Sequence, residues 1–228
     1  MNKLILTSIC AMGISASAFA QGTLNWGAII PTYMTAQTNS TAISPLFGGG
    51  STGSGAVGVT SGSLGGFYYE LLWTGGVASQ PASLSALASW TDTGLTAGNA
   101  STAGRLAPNP SNTGAAVSGW AAGAANNLMV VGWSANLGTT WSVALATLQS
   151  SIALQSVVGN AYFGMSSLGN VTASAGNPGT TIFGTGAGQI NSPNTQLYLV
   201  PTAPVPEPGT MALAALGGAS LLLFRRRK

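Results

Sequence analysis

The segment Phe67-Tyr-Tyr-Glu-Leu-Leu-Trp-Thr74 carries the strongest β-strand pattern in the chain. Successive side chains of a strand point to opposite faces of its sheet. Tyr69, Leu71 and Trp73 would therefore share one face with Phe67, and Tyr68 and Leu72 would share the other with Glu70. Because both faces are largely apolar, the segment predicts a central strand that is covered on both sides.

Further short apolar segments flank this strand and are separated by turns rich in Gly, Asn and Pro. The predicted strands are Thr23–Trp26, Ala115–Trp120, Leu128–Trp133, Ala161–Met165, Asn170–Thr172, Thr180–Phe183 and Gln196–Val200. Short strands with such turns are typical of all-β architectures. We therefore predict that residues 21–200 form an all-β body, either a β-sandwich or a jelly roll.

One short helix is predicted within this body, from Thr139 to about Ser151. Its apolar stripe would consist of Trp141, Leu145, Leu148 and Ile152, spaced by three or four residues. The secondary structure of two nearby segments is less strongly indicated by their sequences. The segment from Pro81 to Trp90 fits either a short helix or a strand, and Thr91 to Thr113 is interpreted as rich in loops.

The body contains few charges: Glu70, Asp92 and Arg105, or one cation against two anions. The net charge of +3 for the whole chain therefore arises at its two ends. A basic patch is the electrostatic signature of a nucleic-acid binder, and the body has none. We predict no nucleic-acid partner.

Several kinds of chemistry lack the residues that they need. The chain has no histidine, and its one cysteine, Cys10, lies near the N-terminus. Imidazole or thiolate metal sites and Ser-His-Asp catalysis are thus excluded from the body. The motif Gly53-Ser-Gly-Ala-Val-Gly58 resembles a dinucleotide-binding loop, but the required strand-loop-helix context is missing. We predict no cofactor, no metal and no catalytic residue, and hence that the protein is not an enzyme.

Two other groups of residues could form a site. Glu70 and Asp92 could in principle act as a glycosidase pair, but we interpret Glu70 as paired with a polar neighbour or Arg105, and Asp92 as part of a turn over residues 91–94. Trp90 and Trp120 lie near predicted loops and could stack on sugar rings. Aromatic residues more often pack in a core, so glycan binding is the alternative function.

The N-terminus has the layout of a secretory signal peptide over residues 1–20. Lys3 supplies a positive charge, an apolar run follows, and Ala18-Phe19-Ala20 is a small-x-small cleavage site. We predict cleavage after Ala20.

The C-terminus combines three features in a fixed order. A Pro-rich linker over residues 201–208 contains Pro206-Glu207-Pro208, an apolar segment follows over residues 209–224, and Arg225, Arg226, Arg227 and Lys228 end the chain. The apolar segment predicts a single transmembrane helix, although about 20 residues are usual for a span. The basic residues 225–228 should remain in the cytoplasm.

This order resembles the PEP-CTERM sorting signal of Gram-negative bacteria. The resemblance implies recognition by exosortase, a membrane-embedded cysteine protease, and cleavage near Pro206-Glu207-Pro208. It further implies the secretion machinery as a partner, an inner-membrane intermediate, and delivery to the cell surface or extracellular matrix. A structural or adhesive role in a biofilm matrix, with exopolysaccharide as a possible partner, is the function that we expect.

Overall fold

The computed structural model describes residues 21–50, 56–57, 60, 65–76 and 79–202. The predicted signal peptide, the Pro206-Glu207-Pro208 motif, the predicted transmembrane helix and the basic tail lie outside the described residues. The described chain forms a body made mostly of β-strands. None of its helices has the length and apolar character needed to cross a membrane.

Twelve strands and three α-helices make up the described body. The strands are β1 Gln21–Asn25, β2 Met34–Ile43, β3 Ala56–Val57, β4 Phe67–Thr74, β5 Thr91–Asn99, β6 Leu106–Asn109, β7 Ala115–Ala121, β8 Ala125–Ser134, β9 Ala161–Met165, β10 Gly169–Thr172, β11 Thr180–Thr181 and β12 Ser192–Val200. The helices are α1 Leu84–Ala88, α2 Trp141–Gln149 and α3 Ser151–Gln155.

Nine strands form one curled sheet, in the order β3-β2-β12-β9-β8-β4-β5-β6, with β10 also paired to β8. Strand β8 lies in the middle, antiparallel to β4 on one side and to β9 and β10 on the other. The first long strand, β2, and the last, β12, pair in parallel. Strands β11, β1 and β7 form a second, three-stranded sheet.

Strand β4 is central and buried on both faces, which confirms the prediction from its sequence. It pairs with β5 and β8, and Leu71 and Leu72, which point to opposite faces, are both fully buried. Leu71 belongs to a core cluster shared with the small sheet, which contributes Leu24 and Val117. Leu72 belongs to a second cluster beneath the helices, which contribute Leu87 from α1 and others from α2.

The two sheets are also joined by a hydrogen bond. The indole of Trp26, directly after β1, donates to the carbonyl of Thr96 in β5 at 2.8 Å. Burying an indole N–H without a partner costs free energy, so this bond fixes how the sheets are aligned. Together with the two core clusters, this bond shows that the large sheet lies between the small sheet and a layer of short helices.

The helix prediction was partly wrong. The predicted helix over residues 139–151 is divided at Ser150, which leaves helical geometry and whose hydroxyl accepts from the Ala153 N–H at 3.1 Å. Serine competes well as a helix N-cap, so a second helix starts there. Ile152, predicted on the apolar stripe, is consequently 80% exposed. Of the other two helices described, α1 lies in the segment from Pro81 to Trp90, which fitted either a short helix or a strand, and α3 was not predicted.

The loop prediction for residues 91–113 was wrong as well, because β5 and β6 lie there. Leu95 and Ala97 point into the core cluster shared with the small sheet, while Thr96 and Gly98 point to the helix side. β5 pairs with β4 although four of its residues, Asp92, Gly94, Gly98 and Asn99, are of types that are depleted in strands. This strand positions the candidate site.

Candidate functional site

Glu70 and Asp92 lie side by side on the helix side of the large sheet. Glu70 in β4 is opposite Thr96 of β5, whereas two residues later Leu72 is opposite Asp92, so β5 contains a bulge between these pairs. The side chains of Glu70 and Asp92 lie within hydrogen-bonding reach of each other. A bulge redirects side chains locally, and here it brings together the two carboxyl groups of the described body.

The bulge is held by local hydrogen bonds. The Thr93 hydroxyl donates to the carbonyl of Leu71 at 2.7 Å, and the Gly94 N–H donates to a carboxylate oxygen of Asp92 at 2.6 Å. Gly94 has a φ of +72°, a left-handed conformation that favours glycine. The sequence Thr93-Gly94 therefore accounts for the kink that places Asp92.

Burial controls the protonation of Glu70. The side chain is only 3% exposed. Burial, together with the hydrogen bond and the negative charge of Asp92, raises the pKa of Glu70 to about 9. Glu70 is therefore neutral at pH 7, and the two carboxyl groups share one proton and one negative charge.

The structure distinguishes between the two partners considered for Glu70, a polar neighbour and Arg105. Glu70 pairs with Asp92, whereas Arg105 is exposed in the turn between β5 and β6, where its backbone N–H donates to Thr102. Asp92 does make a turn-like bond to Gly94, but it lies within β5. The sequence analysis considered the two carboxylates together but did not predict their contact, because the register of β5 against β4 depends on a bulge in a region interpreted as rich in loops.

A groove with a volume of about 770 Å³ lies over the pair, and we call it the Glu70–Asp92 groove. Its lining comes from β4, β5, β6, the end of β8 and the start of α2. Besides the two carboxyl groups, polar side chains line it at Thr96, Asn109, Thr139, Thr140 and Ser142. Hydroxyl and amide groups thus surround a pair of carboxyl groups that carries a single charge.

The groove has an aromatic side. Tyr68 is half-buried, and its ring centroid lies 6.2 Å from that of Trp133. Trp133 in turn lies 5.6 Å from Trp141 at the start of α2, and its indole donates to the Gly138 carbonyl at 2.8 Å. Trp133 and Trp141 are themselves buried, so Tyr68 is the aromatic side chain of this row that is partly accessible.

Small residues keep the groove open on its other side. Gly98 lies directly across from Tyr68 in β5, and Ala107 lies across from Gly98 in β6. A Cβ atom added to Gly98 would meet no atom within 4 Å. The space beside the Tyr68 ring is therefore free.

The start of α2 adds backbone donors to the groove. Thr140 occupies the N-cap position, but its side chain makes no capping bond. Its hydroxyl instead lies 3.3 Å from that of Ser142. The first N–H groups of a helix have no partner within it, so this end retains donor capacity.

The geometry limits what the carboxyl pair can do. Glycosidase carboxyl groups are about 5–9.5 Å apart, so that a sugar bond or a water fits between them. Two carboxyl groups in direct hydrogen-bonding contact leave no such gap. In the part of the chain that the structure describes, no three side chains of the metal-binding types come together. The arrangement is suited to accepting and donating hydrogen bonds.

Trp90 and Trp120, the predicted stacking residues, lie in the two core clusters. Trp120 is 1% exposed; it stacks on Trp73 at 5.4 Å and donates to the Ala124 carbonyl. Trp90 is 8% exposed and packs in the cluster beneath the helices. Stacking on a sugar requires an accessible ring face, so this burial argues against that role for both residues.

Comparison with known proteins finds a family match at the C-terminus. Residues 204–228 match the family described as the PEP-CTERM protein-sorting motif. This match includes Pro206-Glu207-Pro208, the apolar segment and the basic end, and it confirms the resemblance seen in the sequence. A motif of this kind implies an exported protein that is sorted at the membrane and processed by exosortase. No curated protein and no solved structure matches the chain.

Proposed function

We propose that this chain, which carries a PEP-CTERM sorting motif at residues 204–228, is a non-enzymatic protein of the cell surface or extracellular matrix. It crosses the inner membrane of a Gram-negative bacterium through its N-terminal signal peptide. Its C-terminal segment holds it in the membrane until exosortase releases it. The sorting motif is the observation that carries this proposal.

The limits of the folded body are consistent with this route. Cleavage after Ala20 would keep every residue of β1 that the structure describes, Gln21–Asn25. Strand β12 ends at Val200, a few residues before the matched motif. Both cuts would thus fall outside the strands of the body and leave its two core clusters whole.

The composition supports a structural or adhesive role. The body holds three charged residues, and its exposed positions are mainly Ser, Thr, Asn, Ala and Gly. A protein with little net charge tends to associate, which is useful in a matrix. The chain has no histidine, so a Ser-His-Asp triad cannot form. The two carboxyl groups of the body are in contact, which differs from the spacing of a glycosidase pair.

A second candidate function is that of a carbohydrate-binding module at the envelope or in exopolysaccharide. The observation that favours it is the Glu70–Asp92 groove, with its hydroxyl groups and half-buried Tyr68. Trp90 and Trp120 do not support it, because they are buried.

The sorting proposal is tested by replacing Pro206, Glu207 and Pro208 with alanine in the native host. The size and location of the protein are then followed by immunoblotting of membrane, surface and medium fractions. We expect the variant to accumulate in the inner membrane at its unprocessed size. Pro201→Ala, which alters the linker outside the matched residues, should be processed normally. Normal processing and delivery of the triple variant would refute the proposal.

A further inference from the structure

The Glu70–Asp92 groove exists because the helix layer covers only part of the large sheet. Residues of α2 pack on the β8 and β9 side, where Trp141 contacts Trp133 and Phe163. On the β5 and β6 side, the same face carries Gly98, Ala107 and Thr96, which are too small to fill the space. The result is a groove that opens along the edge of the sheet.

The polar groups of this groove are held in place. Glu70 is almost completely buried in a central strand, and Asp92 is fixed by its bond to the Gly94 N–H. A rigid donor and acceptor cost little entropy when a ligand binds. The proton of Glu70 is held between the two carboxyl groups, so the pair offers a ligand oxygen atoms that accept hydrogen bonds, which suits the hydroxyl donors of a sugar ring.

We propose that the Glu70–Asp92 groove binds a neutral saccharide, whose hydroxyl groups bond to the carboxyl pair and whose apolar ring face packs against Tyr68. Thr96, Asn109 and Thr140 would complete the polar lining. Small-molecule sites typically combine an apolar wall with a few fixed polar groups in a volume of about 300–1,000 Å³, and this groove does so.

The charge of the groove defines the class of sugar. The carboxyl pair bears one negative charge, and the cation of the described body, Arg105, does not line the groove. An acidic sugar would place a second negative charge beside the pair, which is unfavourable in a partly buried site. Neutral sugars should therefore bind better than uronic acids of the same length. This inference does not depend on the sorting proposal, because it concerns the purified chain.

The test is calorimetric titration of the full chain, kept in a sugar-free detergent. The probes are hexasaccharides of glucose, galactose, mannose and N-acetylglucosamine, together with a hexamer of galacturonic acid. We expect at least one neutral probe to bind with a Kd on the order of 0.1–1 mM, and the acidic probe to bind at least tenfold more weakly. If no neutral probe binds with a Kd below 10 mM, or if the acidic probe binds equally well, the proposal is wrong.

Two matched variants locate the binding. Gly98→Trp fills the free space beside Tyr68, whereas Gly176→Trp adds the same side chain at a position that also has no atom within 4 Å but lies outside the groove. The first should weaken binding at least tenfold and the second should not change it. Asp92→Ala should weaken binding about fivefold to tenfold. Because it changes an exposed side chain, it tests the groove independently if the Gly98 variant fails to fold. Wild-type affinity in both groove variants would overturn the proposal.

Discussion

Replacing Glu70 with glutamine should remove most of the dependence of the free energy of unfolding on pH. Burial and Asp92 raise the pKa of Glu70 to about 9, from an ordinary value of 4.5. Between these two values the folded state keeps the proton, whereas the unfolded state loses it. Stability is therefore complete below about pH 4.5 and falls as the pH rises towards 9.

The size of the effect follows from this linkage. Each pH unit within the window costs at most about 1.4 kcal/mol, so the ceiling between pH 5 and pH 8 is about 4 kcal/mol. Asp92 is exposed, and the groove admits water, which weakens the interaction between the carboxyl groups. We therefore expect a loss of about 2 kcal/mol in the wild-type protein. Glutamine resembles protonated glutamate in shape and does not ionise, so the variant should lose little.

The assay is urea unfolding of the full chain in mild detergent at pH 5 and pH 8, followed by tryptophan fluorescence. With a slope of about 2 kcal/mol per M, the wild-type midpoint should fall by about 1 M between the two pH values. The chain has no histidine to obscure this change. At pH 5 the two proteins should be almost equally stable, and at pH 8 the variant should be more stable. A wild-type midpoint independent of pH, or an equal slope in the variant, would refute this reasoning.

Three further changes test the packing and the carboxyl pair. Burial is the largest cause of the raised pKa of Glu70, and Asp92→Asn removes only the additional effect of the Asp92 charge and acceptor, so the loss of stability from pH 5 to pH 8 should become smaller in the same assay without disappearing. Trp120→Ala should lower the free energy of unfolding by about 3–5 kcal/mol, whereas a loss below about 0.5 kcal/mol would indicate an exposed side chain. Gly164→Ala would place a methyl group against the Gln196 carbonyl of β12 and should cost about 2 kcal/mol in urea unfolding. An unchanged midpoint in that variant would contradict the close approach of the two strands.

The central strands could be predicted because their residues are apolar on both faces, which indicates that both faces are buried. Strand β4 is apolar on both faces, and Leu128–Trp133, which lies within β8, is a continuous apolar run. Such segments are stable only when both faces are covered. The two strands are indeed neighbours at the middle of the large sheet.

The edge of the sheet could not be predicted in this way. Strand β5 contains Asp, Gly and Asn, whose own preference is for turns, and it is a strand because β4 supplies its hydrogen-bonding partner. The contact between Glu70 and Asp92 depends on a bulge within this pairing. The division of the helix at Ser150 likewise depends on a single serine that acts as an N-cap. These features arise from tertiary contacts and not from local pattern.

The proposal that this protein is processed at both ends is tested most directly by mass spectrometry of the native polypeptide recovered from outside the cell. We predict a chain that begins at Gln21 and ends before Gly209, without Arg225–Lys228. Extracellular protein that retains its sequence through Lys228 would contradict the account.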